Sequence, residues 1–264
     1  MDLQLTSKTA LVTGSTAGIG FAIAQSLARE GATVIVNGRT EQRVKAAIEQ
    51  LGNKSKSLKV EGVAADVGTA EGVKKIIEHF PKVDILVNNA GIFEPKAFEQ
   101  IADQDWLRLF EVNVMSGVRL SRHYFPIMKQ QNWGRIVFIS SESALQIPAE
   151  MIHYGMTKTA QLAVARGLAE NTAGTNVTVN SVLPGPTSSE GVVEFVNRLS
   201  SDNNIDRQAF EKEFFRSMRP TSLLKRFETP EEIAEVVTFV CSPLSSAING
   251  AALRADGGVI RAIA

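Results

Sequence analysis

The chain has 264 residues, 44% of them hydrophobic, enough for one large α/β domain with a substantial core. Lysine plus arginine and aspartate plus glutamate both number 28, so net charge gives no general attraction to nucleic acid or to an anionic membrane. The single cysteine, Cys241, excludes an internal disulfide and suits a reducing compartment, and the three histidines, His79, His123 and His153, lie too far apart in sequence to suggest a metal site.

The opening "MDLQLTSKTA" lacks a basic segment followed by an apolar stretch, and no run approaches the length of a transmembrane helix. The expectation is a cytoplasmic protein with no membrane or nucleic-acid partner. The first strand, "TALVTG", leads into "TGSTAGIG" at 13–20 and then the helical "FAIAQSLARE". Gly14, Gly18 and Gly20 let the backbone turn tightly and approach a ligand, while the helix N-terminus offers unpaired N–H groups and a positive dipole end to a pyrophosphate. The loop is not a P-loop, because Gly-Lys-Ser/Thr is absent.

The second strand, "ATVIVNG", ends at Gly38 with Arg39 after it. Lys54, Lys56 and Lys59 read as a solvated loop before the third strand, "LKVEGVAADV", which ends near Asp66 and Val67. The fourth, "VDILVNNAG", carries Asn89, Ala90 and Gly91; the fifth, "RIVFISS", ends at Ser140 and Ser141. The sixth, "VTVNSVLPG", ends at Pro184 and Gly185, with Thr187 just beyond, and "AALRADGG" is the last. Seven such strands separated mostly by helices predict a single doubly wound, Rossmann-like α/β domain over 1–264 with helices on both faces. Ligands in such sheets bind outside the carboxyl ends of the strands. Cys241, in "VVTFVCS", reads as buried packing.

One interval, 186–229, holds no strand. Val192, Val193, Phe195, Val196 and Leu199, then Phe210, Phe214, Phe215 and Met218, recur there at helical spacing and predict one or two amphipathic helices inserted before the last strand. A subdomain packed on the core and a lid over a substrate both fit; a long insertion at a strand's carboxyl end favours the lid.

In "IHYGMTKTAQLA", Tyr154 lies four residues before Lys158, so on a helix the phenol and the ammonium share a face. A nearby ammonium favours phenolate and lowers the phenol's pKa from about 10. Taken together, "TGSTAGIG", "NNAG" at 88–91, Asn113, Ser141, "YGMTK", Pro184 with Gly185, and "DGG" at 256–258 resemble the short-chain dehydrogenase/reductase family over nearly the whole chain. The resemblance implies a parallel sheet in the order 3-2-1-4-5-6-7. It implies Tyr154 as general acid/base, Lys158 as ribose ligand and tuner of the tyrosine, and Ser141 as hydrogen-bond partner of the reacting oxygen. Asn113 matches the residue that disturbs a helix and anchors a water linking the lysine to solvent. Ser140 and Ser143 are rivals to Ser141; the family's usual serine–tyrosine separation favours Ser141. His153 and Glu150 fit either the substrate pocket or a solvated loop.

For the cofactor, the resemblance implies a dinucleotide on Gly14, Thr16, Gly18, Ile19, Gly20, Asp66, Val67, Asn89, Ala90, Gly91, Tyr154, Lys158, Pro184, Gly185 and Thr187, with Ser189 where the family pattern has its threonine. Relatives that prefer NAD carry an acidic residue where this chain has Gly38. Arg39 can instead grip a 2′-phosphate, so NADP(H) is expected over NAD(H). The expected activity is hydride transfer between NADP(H) and a small-molecule carbonyl or secondary alcohol. A 3-oxoacyl-carrier-protein reductase is the alternative, and a non-catalytic nucleotide-binding protein a third reading. Segments 103–130 and 153–173 match those that build family dimers and tetramers, so a homo-oligomer, a dimer or a homotetramer, is expected.

Overall fold

Alternation along the strands builds two hydrophobic cores, one on each face of a sheet. In the computed structural model, which describes residues 1–54, 58–190 and 207–263, strand β1 (Thr9–Val12) sends Ala10 and Val12 to one face and Leu11 to the other. Strand β2 (Thr33–Gly38) divides Val34 and Val36 from Ile35, and β4 (Ile85–Asn88) divides Ile85 and Val87 from Leu86. With β3 (Lys59–Ala64), β5 (Gly134–Ile139), β6 (Val177–Pro184) and β7 (Ala252–Ala255) they form one parallel sheet in the order β3-β2-β1-β4-β5-β6-β7, as the resemblance implies. Val12 stands between Val36 and Val87 in the register.

Helices α1 (Gly18–Arg29), α2 (Glu41–Lys54) and α8 (Pro230–Val240) cover the face of Ala10 and Val12, where Cys241 is also fully buried. Helices α3 (Ala70–His79), α5 (Ser116–Gln130) and α6 (Ile152–Glu170) cover the face of Leu11 and Ile35. Each fully buried leucine or isoleucine contributes about 1.5–3 kcal/mol to holding these layers together. Local chemistry sets the helix starts. Thr69 accepts the Gly72 N–H at 3.0 Å to begin α3. At α8, Thr229 and Glu232 exchange hydrogen bonds at 3.2 and 2.9 Å, with Pro230 at the first helical position.

Two further helices are α4 (Asp103–Phe110) and α7 (Arg207–Ser217). Between α4 and α5 the backbone makes a π-turn over Glu111–Met115, where Asn113 lies; such turns widen a helix locally and are frequent at functional sites. Helix α7 belongs to the predicted insert: Phe215 is buried, and Phe214 and Phe215 pack on Phe227. The two ends of the insert are pinned together, Glu228 N–H donating to Pro186 at 2.9 Å and Ser188 N–H to Glu228 at 2.8 Å. The expected apolar positions Val192, Val193, Phe195, Val196 and Leu199 lie outside the described residues, as does Lys56. Among the described residues no helix is long and apolar enough to cross a membrane.

Candidate active site

The glycine loop is shaped by close contacts that leave no room for side chains. Gly14 and Gly18 adopt φ of 61° and 55°, the left-handed region that disfavours any Cβ. At Gly20 a Cβ would strike the Asn89 amide and the Gly14 carbonyl. Asn89 holds the loop, its Nδ2 donating to the carbonyls of Thr13 at 2.9 Å and Gly14 at 3.0 Å. Thr13 Oγ1 in turn accepts the N–H groups of Asn89 and Ala90, each at 3.0 Å. Helix α1 then starts at Gly18, with Ala17 before it offering no side-chain cap and no acidic residue in the first turn. Its first N–H groups are thereby left to an anionic ligand, which fits the pyrophosphate of a dinucleotide.

Asn37, 1% exposed, joins three strand ends: its N–H donates to Ser15 Oγ at 2.9 Å, its Oδ1 accepts from Gly14, and its Nδ2 reaches the carbonyls of Val63 and Ala65. It stands beside Gly38, where a Cβ would meet the Thr16 methyl at 2.5 Å. Arg39 is exposed and makes no ion pair among the described residues, whereas nearby Arg43 pairs with Glu190 at 3.1 Å. Asp66 caps its own turn through the Gly68 N–H at 2.9 Å, and the Val67 side chain packs in the core, so only its backbone faces the strand-end crevice.

A cavity of about 230 Å³ opens at the carboxyl ends of β4, β5 and β6. It gathers Ile19, Asn89, Gly91, Ser141, Tyr154 and Lys158, and also Pro184, Gly185 and Thr187. Arg39 and Asp66 lie away from this end, and Asn113 is buried behind it. Of the rival serines, Ser140 turns its hydroxyl to the Lys158 carbonyl at 2.9 Å, while Ser141 and Ser143 both donate to Glu142 Oε2 at 2.6 Å. Ser189 packs its Cβ near Gly18, and Thr187 Oγ1 donates to the Gly185 carbonyl at 2.9 Å.

Lys158 Nζ donates to the Ile139 carbonyl at 2.9 Å and to Gln161 Oε1 at 3.4 Å, and Gln161 Nε2 donates to the Asn113 carbonyl at 2.6 Å. The Asn113 side chain is spent on Ile92, at 2.8 and 2.9 Å, and on Thr157 Oγ1 at 3.0 Å. Gln161 thus connects the Lys158 ammonium to the Asn113 carbonyl. Burial pulls the Lys158 ammonium down to about 7. Burial also pushes the Tyr154 phenol above its ordinary value, the Glu142 carboxylate adding to the rise and the Ser141 hydroxyl and Arg219 opposing it. The Lys158 Nζ lies 5.6 Å from the centre of the Tyr154 ring.

His153 is fully buried against Trp106, with ring centres 5.8 Å apart, and does not line the cavity. Glu150 does line it. Residues that the sequence reading passed over are Thr13, Asn37, Glu142, Gln161 and Arg219. Asn37 and Glu142 adjoin positions already singled out at strand ends, which is a usable signal. Arg219 reaches Glu142 from 77 residues away, and no local pattern announces that contact.

A family model for short chain dehydrogenase matches residues 8–199. The chain belongs to the short-chain dehydrogenase/reductase family. It is thereby an NAD(P)-dependent oxidoreductase by class. This short-chain dehydrogenase/reductase is 53% identical over 263 residues to the uncharacterized oxidoreductase YvaG of Bacillus subtilis, with 100% of both chains covered. It is 35% identical to the 3-oxoacyl-[acyl-carrier-protein] reductase of Aquifex aeolicus, over 98% of this chain and 100% of the relative. Among solved structures it is similar to the L-sorbose reductase of Gluconobacter frateurii complexed with NADPH and L-sorbose, with a TM-score of 0.93, 32% identity and 100% of each chain covered.

Proposed function

We propose that this oxidoreductase transfers a hydride between NADP(H) and a carbonyl or secondary alcohol, with Tyr154 as the general acid/base. The observation that carries the reading is the convergence of Ser141, Tyr154 and Lys158 on one cavity with Ile19 and Gly185. The bound dinucleotide supplies the hydride. As a carbonyl carbon accepts it, negative charge grows on the oxygen, and Tyr154 gives that oxygen its phenolic proton. Ser141 lies beside the phenol and holds the oxygen by hydrogen bond, which requires its proton to turn from Glu142 to the substrate. Lys158 binds ribose hydroxyls, and a positive charge regained there would bring the phenol back toward neutral pH.

Arg39 supports NADP(H) as the preferred cofactor, because it is exposed beside the end of β2 with no carboxylate at Gly38 to repel a 2′-phosphate. The insert supports a lid: Phe214, Met218, Arg219 and Phe227 all border the cavity. Association into dimers or tetramers would use the groove of Val118, Phe125, Val164 and Leu168 on α5 and α6, and light scattering tests it. The likeness to the Aquifex reductase supports a second reading, reduction of 3-oxoacyl thioesters. Initial rates with NADPH and NADH on ketones and on acetoacetyl thioester test both. NADPH should exceed NADH in kcat/KM by tenfold or more, and a clear preference for NADH refutes the cofactor reading. A preference for the thioester over ketones establishes the second reading in place of the first.

A further inference from the structure

One wall of the cavity carries a charge cluster that neither hydride nor proton transfer uses. Glu142, 4% exposed, receives the hydroxyls of Ser141 and Ser143 on Oε2 and Arg219 Nε on Oε1 at 2.7 Å. Arg219, 7% exposed, also donates to Glu150 at 3.3 Å and to the Met218 carbonyl at 2.9 Å. Burial works against the guanidinium's charge, and the two carboxylates outweigh it and hold the group protonated. All three ionic side chains line the cavity that Tyr154 lines.

Two carboxylates against one guanidinium leave a net charge of minus one and more acceptors than donors. A carboxylate has about four lone-pair sites, and Glu142 fills three of them within the protein. A substrate carboxylate placed here would be a third negative charge beside Glu142 and Glu150, with Arg219 already paired to both. A substrate ammonium would sit against the guanidinium. A bare ketone would leave the remaining acceptors without a donor, which is costly in a dry site. Uncharged hydroxyl groups satisfy all three conditions. The apolar side chains of Phe93, Phe214 and Phe227 on the same cavity suit the C–H faces that such molecules also present.

We propose that Glu142, held by Arg219, determines specificity, and that the substrate is an uncharged polyhydroxylated ketone or the matching polyol, whose hydroxyl next to the reacting carbon donates to the Glu142 carboxylate. The proposal rests on the carbonyl/alcohol oxidoreductase reading and deepens it. A site built to bond a hydroxyl discriminates strongly against an analogue lacking it.

The test compares kcat/KM with NADPH for fructose, for the ketone of the same carbon count without hydroxyls, and for the keto acid oxogluconate. Wild type should favour fructose over each of the others by tenfold or more. Glu142→Gln should lower kcat/KM on fructose at least tenfold more than on the bare ketone, chiefly through KM. Glu150→Gln, which touches neither Ser141 nor Tyr154, removes the excess negative charge and should raise the oxogluconate-to-fructose ratio about threefold to tenfold. Preference for the keto acid or the bare ketone in wild type overturns the proposal. So does an equal loss on all three substrates in Glu142→Gln together with an unchanged ratio in Glu150→Gln, because that pattern describes a purely structural cluster. Absence of turnover with every carbonyl and both dinucleotides would overturn the oxidoreductase reading itself, whereas ketone turnover without hydroxyl preference removes this inference alone.

Discussion

Replacing Glu228 with glutamine should stabilise the protein at alkaline pH and leave it unchanged in acid. The side chain is 4% exposed, its Oε2 accepts the Gly185 N–H at 3.0 Å, and no cation pairs with it among the described residues. Burial raises its carboxyl from 4.5 to about 7; the Gly185 N–H opposes the rise, and the charges of Asp256 and Glu232 add to it. The unfolded chain therefore ionises Glu228 near pH 4.5 while the folded protein keeps the proton until about 7. Between those values the folded state binds more protons than the unfolded one, so stability falls as pH rises. At about 1.4 kcal/mol per pKa unit, wild type loses about 3 kcal/mol across this window. Glutamine keeps an acceptor for Gly185 and never ionises. Urea unfolding from about pH 4 to about pH 8 should show the two proteins alike at the acid end and Glu228→Gln ahead by about 2–3 kcal/mol at the other. A constant difference, or a wild type more stable at alkaline pH, would refute the reasoning.

Gly20→Ala should abolish dinucleotide binding in calorimetry while the circular dichroism of the fold persists, because the new methyl displaces Asn89 and the Gly14 carbonyl; normal affinity would contradict the loop account. Arg39→Ala should cut kcat/KM for NADPH by about tenfold to a hundredfold, the worth of a charge-assisted hydrogen bond, and move NADH less than about threefold. Equal effects on both dinucleotides would remove Arg39 from the phosphate site. Arg135→Ala should lower stability by about 3 kcal/mol, since this buried guanidinium serves the carbonyls of Gly134, Asn176 and Ser242. Denaturant titration measures that loss, and a neutral result would show that water replaces the guanidinium.

The sheet was legible because β-branched runs recur between helical segments and several stop at a small or polar residue, which places the crevice at the strand ends; the strand order was implied by the family resemblance. The glycine loop was legible for the same reason, as its glycines serve backbone approach rather than any distant partner. Spacing places Lys158 on the face of Tyr154, but the burial that lowers its ammonium is set by tertiary packing, which spacing does not report. Asn113 was placed in a disturbed helix, and the π-turn is there; the Gln161 bridge from it to Lys158 was not legible, because it forms only where α6 meets that turn. Arg219 could not be read at all, because it enters the site from the insert and finds Glu142 only through tertiary packing.

The central claim is that Tyr154 is the proton donor of a carbonyl reduction. It is tested most directly by Tyr154→Phe, comparing NADPH affinity by fluorescence titration with the rate of ketone reduction. The account predicts a fall in kcat of about a hundredfold to ten-thousandfold, with the NADPH Kd unchanged within about threefold. A Tyr154→Phe enzyme that binds NADPH normally and reduces ketone at the wild-type rate would contradict it.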